Sequence, residues 1–205
     1  MSSTEELLIK LARSIKKENT DLYNLHFLKI LNFLQKEFRI AEGSKAGSIK
    51  KGVDTGDSDL DIIFYIKNLR EENSDEIQEE ICSELRRIYD NVDCKDRAIR
   101  LILSEIEHID TVMKGKKSFN KEKNYIKFVR NINEERKNAI KLAKYWKYET
   151  KFKGSKLKSW QLEKHTIYST GDSLEAIVRN TVSHFGGNPN AAISFLENRA
   201  KIIKN

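Results

Sequence analysis

The chain is poor in the residues that punctuate or staple a fold. In 205 residues it has one proline, Pro189, and two cysteines, Cys82 and Cys94. The long chain interval with only one proline argues against a flexible interdomain linker, and no internal repeat or low-complexity segment breaks the chain. Neither the cysteines nor the four histidines (His26, His108, His165, His184) fall at zinc-ligand or redox spacing, so thiol and zinc chemistry are not expected. Long apolar runs are also missing. The longest, such as Ile62-Ile63-Phe64-Tyr65-Ile66, are strand-length and far below the roughly 18 residues that span a bilayer. The first residues, Met1-Ser2-Ser3-Thr4-Glu5-Glu6, show no basic segment leading into an apolar one. A cytoplasmic protein without a membrane partner is the expectation.

What is present is charge and enough apolar residue for a core. Lys and Arg number 38 against 31 Asp and Glu, a net charge of +7, and hydrophobic residues make up 39% of the chain. That composition excludes a disordered chain. The basic excess is concentrated: between Arg136 and Lys158 nine Lys and Arg stand with one acid, Glu149, among Tyr145, Trp146, Tyr148 and Phe152. An anionic partner suits such a segment, although a solvated lysine-rich helix face has the same composition.

Periodicity predicts a mixed N-terminal half. Residues 3 to about 38 read as helical, opened by a Ser3/Glu6 capping box, with Leu22, Leu25, Leu28, Leu31, Leu34 and Phe38 expected to face the core after a start at Asn19-Thr20-Asp21. Residues 39–59, with Gly43, Gly47, Gly52 and Gly56, read as a loop. Leu60–Ile66 reads as a strand buried on part of both faces, Ser74 opens a helix, and Ile99–Leu103 and Ile109–Val112 read as strands. Beyond Gly115 only helices are predicted: 120–132, 134–147, 157–168, 172–185 and 189–203. The fold class is therefore α+β, an α/β lobe (1–115) followed by an all-helical lobe (116–205).

One stretch carries chemistry. Gly47-Ser48-Ile49-Lys50-Lys51-Gly52 precedes Asp59-Leu60-Asp61 at the start of the apolar strand. Residues i and i+2 of a strand point to one face about 7 Å apart, so Asp59 and Asp61 project side by side and call for a cation. Hard oxygen ligands of this kind suit Mg²⁺, and a pair of ions about 3.5–4 Å apart clamps both oxygens of a phosphoryl displacement. Asp110, an acid within the apolar frame Ile109-Asp110-Thr111-Val112, is the candidate third ligand, with Glu105 and Glu107 as rivals. Gly47 and Gly52 let the backbone approach a phosphate chain, which Ser48 and Lys51 are suited to bind.

This pattern, Gly47-Ser48, Lys51-Gly52, then Asp59-x-Asp61 and a later strand acid, resembles the polymerase-beta-like nucleotidyltransferase superfamily. Its nearest branch holds oligoadenylate synthetases, cyclic GMP-AMP synthase-like enzymes (CD-NTases) and archaeal-type CCA-adding enzymes. Lys141-Leu142-Ala143-Lys144-Tyr145-Trp146, followed by Lys158-Ser159-Trp160, resembles the helical lobe of that branch. The resemblance implies an active site in a cleft between lobes, two Mg²⁺ ions (Mn²⁺ an alternative) on Asp59, Asp61 and Asp110, an NTP substrate with ATP foremost, Lys144 and Ser159 on the triphosphate, and Trp160 on the base. It further implies transfer of NMP to a hydroxyl of a nucleotide or of an RNA 3′ end, with pyrophosphate released. Val53 stands where the family often has threonine. A binding module that has lost the chemistry is the alternative, and no obligate protein partner is implied.

Overall fold

The computed structural model describes residues 3–15, 20–38, 40–55, 59–67, 69, 74–95, 98–105 and 107–203. Asn19, expected to begin a helix, and the loop residues Gly56, Asp57 and Ser58 lie outside the described residues. The chain divides into two compact units, residues 17–52 with 57–130, and residues 1–16 with 53–56 and 131–205.

The first unit is built on a five-stranded mixed sheet ordered β1-β2-β5-β4-β3: β1 (Ile40–Lys45), β2 (Leu60–Ile66), β3 (Val92–Lys95), β4 (Ala98–Ile102) and β5 (His108–Lys114). β2 and β5 are parallel and the other pairs antiparallel. Strand alternation divides β2 between two cores. Leu60, Ile62 and Phe64 join Ile99, Leu101 and Ile109 against Tyr23, Ile30 and Leu34 of α2 (Thr20–Glu37) and Ile81 and Leu85 of α4 (Ser74–Leu85). On the other face, Ile63 packs with Ala46 and with Phe119 and Ile126 of α5 (Lys116–Asn131). Each such buried side chain contributes about 1.5–3 kcal/mol, so the strand is held from both sides, as its unbroken apolar run predicts.

Helix α2 corrects the leucine ladder. Leu22, Leu25 and Leu28 are exposed, while Tyr23, Ile30 and Leu34 are buried. At about 100° per residue, a three-residue spacing falls about 60° short of a full turn at each step. A run of leucines three apart therefore walks around the helix, and only its far end reaches the sheet. β1, β3 and the short α3 (Gly47–Lys51) were not legible as elements, because edge strands without alternation exist only through pairing.

The structure also corrects the expectation of idle thiols. Cys82 of α4 and Cys94 of β3 form a disulfide, with Cα atoms 6.2 Å apart. Their separation of 12 residues implies a loop-closure contribution of about 3 kcal/mol. Dithiothreitol is expected to lower the denaturant midpoint accordingly, whereas Cys82→Ser should show no further change on reduction. An unchanged midpoint in the reduced wild-type protein would remove this contribution.

The second unit is helical: α1 (Thr4–Ser14), α6 (Glu134–Glu149), α7 (Ser159–Tyr168), α8 (Leu174–His184) and α9 (Pro189–Ile202). Leu8 and Leu11 of α1 share a core with Leu142, Trp146, Ile177, Val178 and Leu196. The Ser3/Glu6 capping box forms, and the Glu5 carboxylate accepts the N–H groups of Leu174 and Glu175 at 2.9 and 3.2 Å, ordering the start of α8. Thus α1 belongs with the C-terminal helices and α5 with the sheet, where the sequence reading divides the chain at 115/116. Among the described residues no helix is long and apolar enough to cross a membrane.

Candidate active site

A row of charge runs across one face of the sheet. Asp61 of β2 is the register partner of Asp110 on β5, Asp110 of Arg100 on β4, and Arg100 of Asp93 on β3. Register partners share a face, and that face is opposite the one on which Leu60 and Ile62 enter the core. Asp59 lies two residues before Asp61, just ahead of the strand.

The guanidinium of Arg100 organises the row. Its Nε and Nη2 donate to Asp110 Oδ1 and Oδ2 at 2.7 and 2.6 Å, and Nη2 lies 3.7 Å from Asp59 Oδ2. His108 Nε2 lies 3.1 Å from the other oxygen of Asp59. Asp61 is a strongly perturbed acid. Its pKa is pushed up to about 6, first by burial and then by the charges of Asp110 and Asp59, with Lys51 opposing the rise. Lys51 is itself buried, with its ammonium 5.1 Å from the ring centre of Tyr125.

Gly47 explains the turn ahead of the acids. Its φ is +64°, and a Cβ there would lie 1.7 Å from Asp61 Oδ2, far inside any allowed contact. The adjoining Ala46 N–H donates to the Asp61 carbonyl at 2.6 Å. Glycine is thus required both by backbone conformation and by the carboxylate packed against it. Ser48 and Lys51 follow on α3, which Gly52 ends in the left-handed conformation.

In the helical unit the predicted nucleotide ligands sit apart in character. Lys144 is buried, and its ammonium donates to Glu163 Oε2 at 2.9 Å and to the Val53 carbonyl at 3.4 Å. Val53 is fully buried, which accounts for an apolar residue in place of the hydroxyl. Ser159 is the first residue of α7, whose N-cap is Lys158, and Trp160 is 62% exposed. The structure adds Glu163, Arg100 and His108 to the residues singled out from sequence. In the sequence Arg100 lies among the alternating residues of 99–103 and His108 just before Ile109, and nothing local marks Arg100 as the partner of Asp110.

No family model and no curated protein matches the sequence. Solved structures do match. The chain is similar to CdnC of E. coli MS115-1, from its complex with HORMA-deltaN, with 14% identity, a TM-score of 0.66, and coverage of 88% of this chain and 70% of that one. It is similar to the CD-NTase CdnG of Bradyrhizobium diazoefficiens in complex with GTP, with 12% identity, a TM-score of 0.68, and coverage of 98% and 90%. The Cid1 poly(U) polymerase, in a structure with Mg and 3′-dATP bound, gives 16% identity, a TM-score of 0.67, and coverage of 80% and 54%. The chain has the nucleotidyltransferase fold. This is the fold that the Gly47-Ser48 and Asp59-x-Asp61 pattern implies, and the α+β class agrees with it.

The donor set fits a hard divalent ion in kind, since Asp59, Asp61 and Asp110 supply carboxylate oxygens. Among the described residues no three acidic, His or Cys side chains are disposed around one metal position. Both oxygens of Asp110 are engaged by Arg100.

Proposed function

We propose that the protein is a divalent-metal-dependent nucleotidyltransferase. The observation that carries this reading is the pairing of Asp61 and Asp110 in register on adjacent parallel strands, with Asp59 two residues ahead, on this fold. A hydroxyl oxygen of the acceptor attacks the α-phosphorus of an NTP, the bond to the bridging oxygen breaks, and pyrophosphate leaves. Asp59, Asp61 and Asp110 would hold Mg²⁺ or Mn²⁺, which when bound neutralises charge on the phosphates and lowers the pKa of the attacking hydroxyl. Gly47 keeps the Asp61 carboxylate at the turn, the Ser48 hydroxyl donates to phosphate oxygens, and Lys51 offsets the acidic charge. Lys144 and Ser159 serve the triphosphate through the helical unit, with Lys144 set by Glu163, and the open indole of Trp160 offers a stacking face for a base.

A nucleotide acceptor, giving a linear or cyclic oligonucleotide, is the reading we adopt. The CD-NTases among the similar structures support it. The basic and aromatic segment 136–158 is compatible with either acceptor, and addition to an RNA 3′ end is the second reading. Incubation with Mg²⁺ and each labelled NTP, alone and with total tRNA, tests both: pyrophosphate release without RNA supports the first, and release only with tRNA supports the second. Asp59→Asn is expected to abolish either. Silence of the wild-type protein under every condition would overturn the enzymatic reading in favour of a nucleotide-binding module.

A further inference from the structure

The contact that most departs from a site ready for metal is the Arg100 fork. Arg100, Asp110 and Asp59 are each partly withdrawn from water, with side-chain exposures of 26%, 21% and 29%. Charge pairs there are screened less than on an open surface. Two parallel N–H donors engage both oxygens of Asp110, and the same guanidinium faces Asp59. A divalent ion taking a ligand from either acid would meet that positive charge at close range. Guanidinium and metal thus compete for the same carboxylates. β3 supplies an alternative partner. Asp93, the register partner of Arg100 on its far side, sits on the edge strand and is exposed, so a guanidinium leaving Asp110 stays within the sheet's charge row.

We infer that Arg100 is a positioning residue that stands in for the metal: it holds Asp110 beside Asp61 in the metal-free protein, and it must leave that carboxylate before the site loads. The inference rests on the metal-dependent reading above. Its consequence is that the resting protein binds divalent ions weakly by itself, and loading is coupled to moving one side chain. Arg100 acts through Asp110 and makes no contact with reacting atoms.

The test needs no turnover. Mn²⁺ binding to the full chain without nucleotide is measured by electron paramagnetic resonance or calorimetry for wild type, Arg100→Gln and Arg100→Met, together with the rise in Tm that Mn²⁺ produces in each. Removing the competing charge is expected to tighten Mn²⁺ binding by about tenfold or more and to enlarge the Mn²⁺-induced rise in Tm, while the metal-free Tm falls. Arg100→Lys, which keeps the charge but not the fork, is expected to fall between wild type and the neutral variants. A purely structural arginine would lower Tm with and without Mn²⁺ alike. Equal or weaker Mn²⁺ binding by the folded variants overturns the inference and leaves the proposed function standing. Absence of Mn²⁺ binding in wild type and variants alike overturns the metal reading of the site and the inference with it. Two neutral replacements of different polarity are used so that a folding failure in one leaves the other to decide.

Discussion

Asp61→Asn is expected to make the metal-free protein more stable while abolishing nucleotidyl transfer. In the folded protein the carboxyl of Asp61 has a pKa of about 6, against 3.8 ordinarily, because burial and then the charges of Asp110 and Asp59 disfavour its ionised form. The folded state therefore binds the proton more tightly than the unfolded state. Stability falls as pH rises from about 4 to about 6, and stays lower above that. At 1.36 kcal/mol per pH unit the interval corresponds to roughly 3 kcal/mol as an upper figure. Asparagine keeps the shape and removes the charge. In chelator at pH 8 the variant should unfold at a higher denaturant concentration than wild type, and the difference should vanish below about pH 4. Transfer should fall by about a thousandfold or more, equivalent to about 4 kcal/mol of barrier. A variant that is less stable at pH 8, or that retains transfer, would sink the electrostatic account of this acid.

Gly47→Ala is the second large effect, and it arises from space rather than charge. At φ +64° an alanine pays about 1–2 kcal/mol of backbone strain, and its Cβ would collide with Asp61 at 1.7 Å. The carboxylate or the turn must move by an ångström or more. Misplacing a reacting constellation by that much costs about a hundredfold in rate. Gly154 is the control. It has a comparable φ of +50° and open space around the missing Cβ, so Gly154→Ala should lose stability by about 1 kcal/mol and retain transfer. Equal activity of Gly47→Ala and wild type would show that Asp61 does not depend on this glycine.

Much of the fold was legible because its signals are local. β2 announced itself by an unbroken apolar run, the Ser3/Glu6 box and Pro189 marked helix starts, and Gly115 marked the end of strand signal. Where reading failed, the reason was equally physical. Spacing points the leucines of α2 toward the core, yet a three-residue repeat turns away from any one face, and Leu22, Leu25 and Leu28 are exposed. Residues 40–45 have no alternation of their own and become β1 by pairing with β2. Cys82 and Cys94 lie at no motif spacing and meet only because α4 packs beside β3.

The sequence by itself determined the local chemistry: a glycine turn, two acids two residues apart where an apolar strand begins, and a further acid in an apolar frame. Those features depend on backbone periods of a few residues, which any short segment carries within itself. Tertiary structure alone decided that Asp110 stands in register with Asp61, that Arg100 grips it, that Glu163 takes the buried Lys144, and that Gly47 accommodates a carboxylate. Contacts of that kind join segments far apart in the chain. Their distances come from strand register and helix packing, which no local period encodes.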